Sequence, residues 1–262
     1  MRSLDPNRRL MFGKIGETES GDTYYFIRPD WDKPAAPITL VRGVAQSLEV
    51  NRLAGVWRRV IREGEVMNLL GESPLPLNDT GLRARENYNP LESKYKDCLP
   101  IDIPSLLYIP YLIEIDVNDR NIEFHHEYFN ILRQFAPDDS PRRAHTTEQF
   151  EVSSARIEGD ALTIESTGFP ASQAGLGGDF DPLGMGKHVP SSEGKQLTET
   201  YRLLNNDEIL EASLVLADPE YLTKPFETTL IWERVPEGPE LTEFECDLDI
   251  ARRSTSNAVS DQ

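Results

Sequence analysis

The sequence predicts a mainly β chain, an antiparallel β-barrel of about eight to ten strands with one or two peripheral helices. Three observations carry this. Nineteen prolines and seventeen glycines in 262 residues call for many turns and disfavour a helical bundle. The segment FEVSSARIEGDALTIESTGF splits at Glu158-Gly159-Asp160 into two strand-like halves, a good hairpin signal. QLTETYRLLNNDEILEASLVLAD repeats the design with Asn205-Asn206-Asp207 as the turn. Strands at short intervals joined by tight turns suit a meander that closes into a barrel or a packed pair of sheets.

Residues 1–37 read as an N-terminal extension with a short hairpin. Phe12 to Ile15 and Thr23 to Ile27 are its arms, Ser20-Gly21-Asp22 its turn, and Pro29, Pro34 and Pro37 punctuate the stretch beyond it. The barrel domain is assigned to 38–250. Near its start Leu53, Val56, Trp57, Val60 and Ile61 fall at i, i+3, i+4, i+7 and i+8, which predicts a helix near 50–63 with Arg58, Arg59 and Arg62 on its other side. SPLPLNDTG ends that section, and GLRARENY suits a short helix. CLPIDIPSLLYIPYLIEID has prolines too frequent for a helix and ends in an apolar strand near Asp116. VNDRN is a turn, and NIEFHHEYFNILRQF reads as one long strand. TTLIWERV and ELTEFECDLD close the series. Residues 168–194 hold seven of the seventeen glycines and show neither period, so they read as a long loop, either a ligand cover or a surface excursion. Residues 251–262 read as a disordered tail.

Charge and composition exclude several classes. A formal net charge of −18 repels phosphate backbones and anionic membrane surfaces, so neither nucleic acid nor a membrane is an expected partner. No run of about eighteen apolar residues exists to span a membrane. The first residues carry no apolar stretch of signal-peptide length, so a cytoplasmic protein is the expectation. Cys98 and Cys246 match neither a zinc pattern nor a disulfide framework. They could pair if brought together, but two free structural thiols are expected in a reducing compartment.

Chemistry concentrates in FHHEYF, residues 124–129, since the chain has no Walker loop, GxSxG elbow or HExxH motif. Gly175, Gly177 and Gly178 lack the βαβ unit of a dinucleotide site. On a continuous strand, Glu123, His125, Glu127, Phe129, Ile131 and Arg133 share one face; Ile122, Phe124, His126, Tyr128, Asn130 and Leu132 share the other. The first face sets an imidazole between carboxylates, an arrangement that favours a proton carrier near neutral pH. The second sets His126 beside Tyr128. Placed outward, either group is a solvated strand surface. A metal would need a further ligand from His145, Glu148 or His188, and none is expected.

Several phrases in order resemble a little-characterised family of bacterial β-rich proteins: LAGVW (53–57), PLPLNDTG (74–81), CLPIDIP (98–104), IEFHHEYFNILRQF, RIEGDALTIESTGF (156–169), LTETYRL (197–203), LADPEYLTKPF (216–226) and LTEFEC (241–246). The resemblance spans roughly residues 50–247. It implies a lipocalin-like barrel, members that are often exported, and a scaffold role for Glu127, Arg133 and Asp218, the last before Pro219. Cys98 and Cys246 fall on the family's two cysteines. Departures are the missing export signal, Thr200 where an arginine is usual, and His125-His126, which together with His188 are private to this chain.

The expected function is therefore a small-molecule-binding barrel acting as a cofactor-independent acid–base enzyme of isomerase, lyase or cyclase type. Its ligand would be a small apolar or aromatic molecule held in the lumen. His125, His126, Glu127 and Tyr128 are the candidate catalytic residues, and Arg133, Phe124 and His188 the candidate substrate-binding ones. No metal and no cofactor are implied, and a homo-oligomer is compatible with the sequence. The alternatives are a non-catalytic carrier for a hydrophobic ligand and a structural module with a solid core.

Overall fold

A computed structural model describes residues 11–18, 21–27, 49–61, 73–118, 121–137, 141–143, 151–236, 240–242 and 244–252. The strands in chain order are β1 (Met11–Thr18), β2 (Gly21–Ile27), β3 (Gly55–Val60), β4 (Leu112–Val117), β5 (Ile122–His126), β6 (Ile131–Phe135) and β7 (Arg142–Arg143). After these come β8 (Val152–Glu158), β9 (Ala161–Thr167), β10 (Ser172–Gly177), β11 (Val189–Ser191), β12 (Gln196–Leu204), β13 (Ile209–Ala217) and β14 (Phe226–Arg234). Two short helices, α1 (Asp79–Glu86) and α2 (Ser105–Tyr108), precede β4.

Ten strands form one antiparallel sheet in the order β6-β5-β4-β3-β14-β13-β12-β9-β8-β7. It curls until β6 lies against β8, which nearly closes a barrel. The mainly β, barrel-like architecture is the one the turn signals predict. Its two best hairpins form where turn chemistry asks for them. Gly159 sits at φ 61° between β8 and β9, and Asn205, Asn206 and Asp207 take φ of 51°, 54° and 70° between β12 and β13. Asn and Asp tolerate this left-handed region better than other side-chain-bearing residues. β1 and β2 pair with each other as a two-stranded hairpin. The expected tail lies, beyond Arg252, outside the described residues.

The predicted helix near 50–63 is instead one 3-10 turn (Val50–Leu53) followed by β3. Gly55 is the reason. Its φ is 134°, open to glycine, and a Cβ there would meet the Arg234 guanidinium at 2.6 Å. That guanidinium donates to the carbonyls of Arg52 (2.7 Å), Ala54 (2.6 Å) and Asp207 (2.8 Å) and stacks 4.1 Å from the Trp57 ring. The helical spacing arises because both faces of β3 are covered. Trp57 belongs to the main core, and Val60 packs with Leu204, Ile209 and Ile231. Arg59, expected on a polar side, is buried and donates to the Ile231 carbonyl at 3.1 Å.

Three further expectations are corrected. NIEFHHEYFNILRQF is a hairpin of β5 and β6, with Phe129 and Asn130 at φ 57° and 51° in the connecting turn. Residues 168–194 are an ordered ribbon of β10 and β11 whose Leu176, Leu183 and Val189 enter the main core. The glycines serve close approach there, since a Cβ on Gly184 would lie 1.8 Å from the Gly178 carbonyl oxygen. ELTEFECDLD forms no strand; its described residues run irregularly as far as Asp247 and then enter a short helical turn, and Cys246 is disulfide-bonded to Cys98. The two thiols are thus a cross-link, not free. Among the described residues no helix is long and apolar enough to cross a membrane.

Trp57 is fully buried, and its indole N–H donates to the Leu53 carbonyl at 2.9 Å. Trp57→Ala should cost about 3–5 kcal/mol, read as a lower urea midpoint at unchanged m-value.

Candidate functional site

The turn after His126 redistributes the sequence-derived site. Within β5 the burial alternates, with Ile122, Phe124 and His126 inward and Glu123 and His125 outward. β6 pairs so that Phe124 faces Arg133 and His126 faces Ile131. Arg133 therefore shares the inward side with Phe124 and His126, not the side of His125.

His125 has a third of its side chain exposed on the outer face, while its Nε2 is covered and lies 3.4 Å from Glu123 and 3.6 Å from Asp116. His126 is buried at the end of β5, opposite Ile113 of β4. Glu127 uses its carboxylate on backbone. Oε2 accepts from the Leu112 N–H (3.2 Å) and Oε1 from the Thr242 N–H (3.1 Å). Tyr128 sits in an aromatic nest with Phe129 (4.8 Å), Tyr111 (4.8 Å) and Phe244 (4.6 Å), where burial raises its phenol well above the ordinary value. Phe124 packs edge-on against Phe135 and Tyr201 in the core.

Arg133 is wholly buried and makes a two-pronged ion pair with Glu199 at 3.0 and 2.5 Å. Glu151 lies 3.4 Å from its Nε, and the Tyr201 hydroxyl donates to Glu199 at 2.6 Å. Burial opposes the guanidinium's charge, but the two carboxylates outweigh it and raise its pKa. Glu151 is raised by burial despite Arg133. These groups, with Trp57, Trp232, Tyr201, Phe124 and Phe135, all nearly or fully buried, occupy the barrel interior that the sequence reading assigned to a ligand.

The remaining candidate, His188, lies elsewhere. It enters from the start of β11, which the glycine-rich ribbon carries against the segment after α1. A groove of about 160 Å³ opens there, lined by Ala84, Asn87, Tyr88, Asn89, Glu92, Gln173, His188 and Pro190. The His188 ring is stacked 4.6 Å from Tyr88 and meets Tyr95 edge-on at 5.1 Å. Its Nε2 is 3.2 Å from Ser93 Oγ and 3.6 Å from Asp179 Oδ2. The Tyr88 hydroxyl donates a short hydrogen bond to the same Asp179 oxygen. Burial first, then the Asp179 charge, push the Tyr88 phenol well up, so it stays a donor.

Serine, histidine and aspartate meet here, but not as a nucleophilic triad. A triad needs the serine on one ring nitrogen and the carboxylate on the other; here both meet Nε2. Ser93 also has a structural task, accepting from the Tyr95 N–H at 3.4 Å as the cap of the Lys94–Asp97 turn. The cluster can bind hydrogen-bonding groups and can carry a proton. Tyr88, Ser93, Tyr95 and Asp179 escaped the sequence reading. They come from loop and turn positions with no period, and the one local signal was the glycine density beside Asp179.

Arg133→Met would strand the buried Glu199 and Glu151 carboxylates and should cost about 3–5 kcal/mol in urea unfolding. Lys195 offers a pH test. It is buried, donates to the carbonyls of Ile103 (2.9 Å) and Gly175 (3.0 Å), and burial lowers its pKa from 10.5 to about 8. Between these values the unfolded chain holds the proton and the folded chain does not. Stability should therefore rise with pH across that window, by at most about 1.4 kcal/mol per pH unit. Lys195→Met should remove this rise, as read from paired urea midpoints.

No family model and no curated protein matches the chain. Among solved structures it is similar to a protein described as "REP1-NXSQ fatty acid transporter", at 11% identity and a TM-score of 0.33, with 70% of this chain and 96% of the other covered.

Proposed function

We propose that the chain binds a small, ring-sized molecule on its barrel scaffold, in the rim groove beside His188 and not in the barrel interior. The observation that supports this is the groove's content: an imidazole (His188), a phenol (Tyr88), a carboxylate (Glu92) and side-chain amides line about 160 Å³ of space. A volume near 150 Å³ suffices for one benzene ring. Tyr88, Pro190 and Ala84 offer apolar contact, while the amides of Asn87 and Gln173 offer both donors and acceptors. The chemistry suits a planar ring that bears at least one hydrogen-bonding substituent, a more polar ligand than the sequence suggested.

The acid–base reading moves with the site. His188, whose Nε2 meets Ser93 and Asp179, is the group placed to exchange a proton with such a ligand, and the Tyr88 oxygen, its own proton given to Asp179, can accept a hydrogen bond from it. His125, on the outer surface, and His126, buried beside packed core, have no comparable space. Binding without turnover needs less than this and is the leading form of the proposal. The Cys98–Cys246 bond supports an oxidising compartment in place of the expected cytoplasm.

A thermal-shift panel of phenols, aromatic acids and aromatic amides tests the reading. A true ligand at a hundred times its Kd should raise Tm by about 5–10 °C. Tyr88→Phe and His188→Gln should cut that shift at least by half while leaving the unliganded Tm within a few degrees. If no compound shifts Tm, or the shift survives both substitutions, the groove is not the site.

A further inference from the structure

We propose that the groove beside His188 selects a cation: a flat ring bearing a positively charged nitrogen group such as an amidinium or an ammonium. The inference rests on the binding reading above and assigns the charge of its ligand.

Glu92 lines the groove from the Pro90–Glu92 turn and is exposed. Its Oε1 accepts from the Asn89 side-chain amide at 3.1 Å, a neutral partner that leaves the negative charge uncompensated. Asp179 is the second carboxylate, held against the groove by the Tyr88 hydroxyl and lying 3.6 Å from His188 Nε2. Among the described residues neither carboxylate pairs with a lysine or an arginine, and no lysine or arginine lines the groove. A proton gained by His188 is matched by Asp179, so Glu92 stays unbalanced in either state of the imidazole.

Basic residues close in sequence point elsewhere. Arg83 reaches Thr80 Oγ1 at 3.4 Å, Arg85 reaches the carbonyls of Gly184 and Met185 at 3.0 Å each, and Lys96 reaches the Leu91 carbonyl. Lys94 is paired with Asp102 at 2.6 Å. Backbone adds to the same sign. α1 ends at Glu86, and Ala84 and Asn87 from that end line the groove. The carbonyl ends of a helix carry partial negative charge at its C-terminus, which favours a cation there.

Hydrogen-bonding capacity agrees with the charge. The Glu92 carboxylate only accepts, and the Tyr88 oxygen has given its proton to Asp179. An amidinium only donates, and its planar fork suits a carboxylate. The Tyr88 ring supplies a π surface that also attracts cations. An anionic ring meets the reverse, repelled by Glu92, by Asp179 and by the chain's formal charge of −18.

Benzamidine, benzamide and benzoate share one ring and nearly one shape but differ in charge, and their binding to the full chain at neutral pH tests the assignment. Benzamidine should bind at least about fivefold more tightly than benzamide, and benzoate more weakly than either. Added salt should weaken benzamidine and not benzamide. Glu92→Gln should weaken benzamidine about threefold or more relative to benzamide. Benzamide or benzoate binding as tightly as benzamidine overturns the charge assignment while the binding reading stands. Benzamidine binding that Glu92→Gln leaves unchanged overturns it too, since the cation then sits elsewhere. If none of the three binds while another compound of the thermal-shift panel does, cation selection fails and the groove reading survives. If nothing binds, both fall.

Discussion

The barrel depends on Arg133. Its guanidinium, with no exposed surface, reaches from β6 across the interior to Glu199 on β12 and to Glu151 just before β8. In the sheet order β6 is one terminal strand, while β8 and β12 belong to the other half. No ladder of hydrogen bonds joins β6 to β8 among the described residues, so this charged contact stands where a closed barrel would have backbone pairing. A buried ion pair is a weak source of net stability but a strong source of specificity about which groups must meet. Here the specification is closure. With one guanidinium facing two carboxylates, burial holds the Glu151 pKa up, and Tyr201 completes the shell around Glu199. The aromatic layer of Phe124, Phe135 and Trp232 packs around this charged centre, which leaves the interior to protein.

That arrangement explains how much of the fold was legible. The hairpins at 158–160 and 205–207 could be read because their turn residues determine local backbone angles without help from elsewhere. β3 could not, since its covered faces imitate a helical stripe and the decisive contact is Gly55 with Arg234, far along the chain. The break after His126 was equally hidden. Phe129 and Asn130 adopt positive φ without a glycine to announce it. An extended reading carried Glu127 and Arg133 onto the face of His125, and the true register puts Arg133 opposite Phe124 instead.

The site was less legible than the fold, for a related reason. His188 was singled out, but its partners Tyr88, Ser93 and Asp179 come from three separate turns. No spacing in a single segment could bring them together. The glycine-rich ribbon was visible as an anomaly, and its composition suggested a long loop without regular structure. In the structure glycine serves the opposite purpose. Asp181 accepts from the N–H groups of Gly178, Leu183 and Gly184, and the lack of side chains allows strands of backbone to touch. Burial raises the Asp181 carboxyl to about 6, a sign of how far this ribbon is withdrawn from water. A rigid ribbon is a better wall for a binding groove than a mobile lid, because its side chains need not be ordered when a ligand arrives.

The two carboxylates that the family resemblance singled out, Glu127 and Asp218, have the same occupation. Glu127 holds the backbone of β4 and of Thr242; Asp218 accepts from the Ser192 N–H (2.7 Å), the Ser192 hydroxyl (2.9 Å) and the Glu220 N–H (3.0 Å). Each terminates hydrogen-bonding groups that the sheet cannot satisfy, which is scaffold work. Function should then be sought among residues that the scaffold does not need. Of the three histidines that the sequence singled out, His125 is on the outer face and His126 is core. His188 alone stands at an open groove with a carboxylate and a phenol within reach. The turn that supplies its Ser93 partner ends at Cys98, which is disulfide-bonded to Cys246 in the same segment whose Thr242 N–H donates to Glu127.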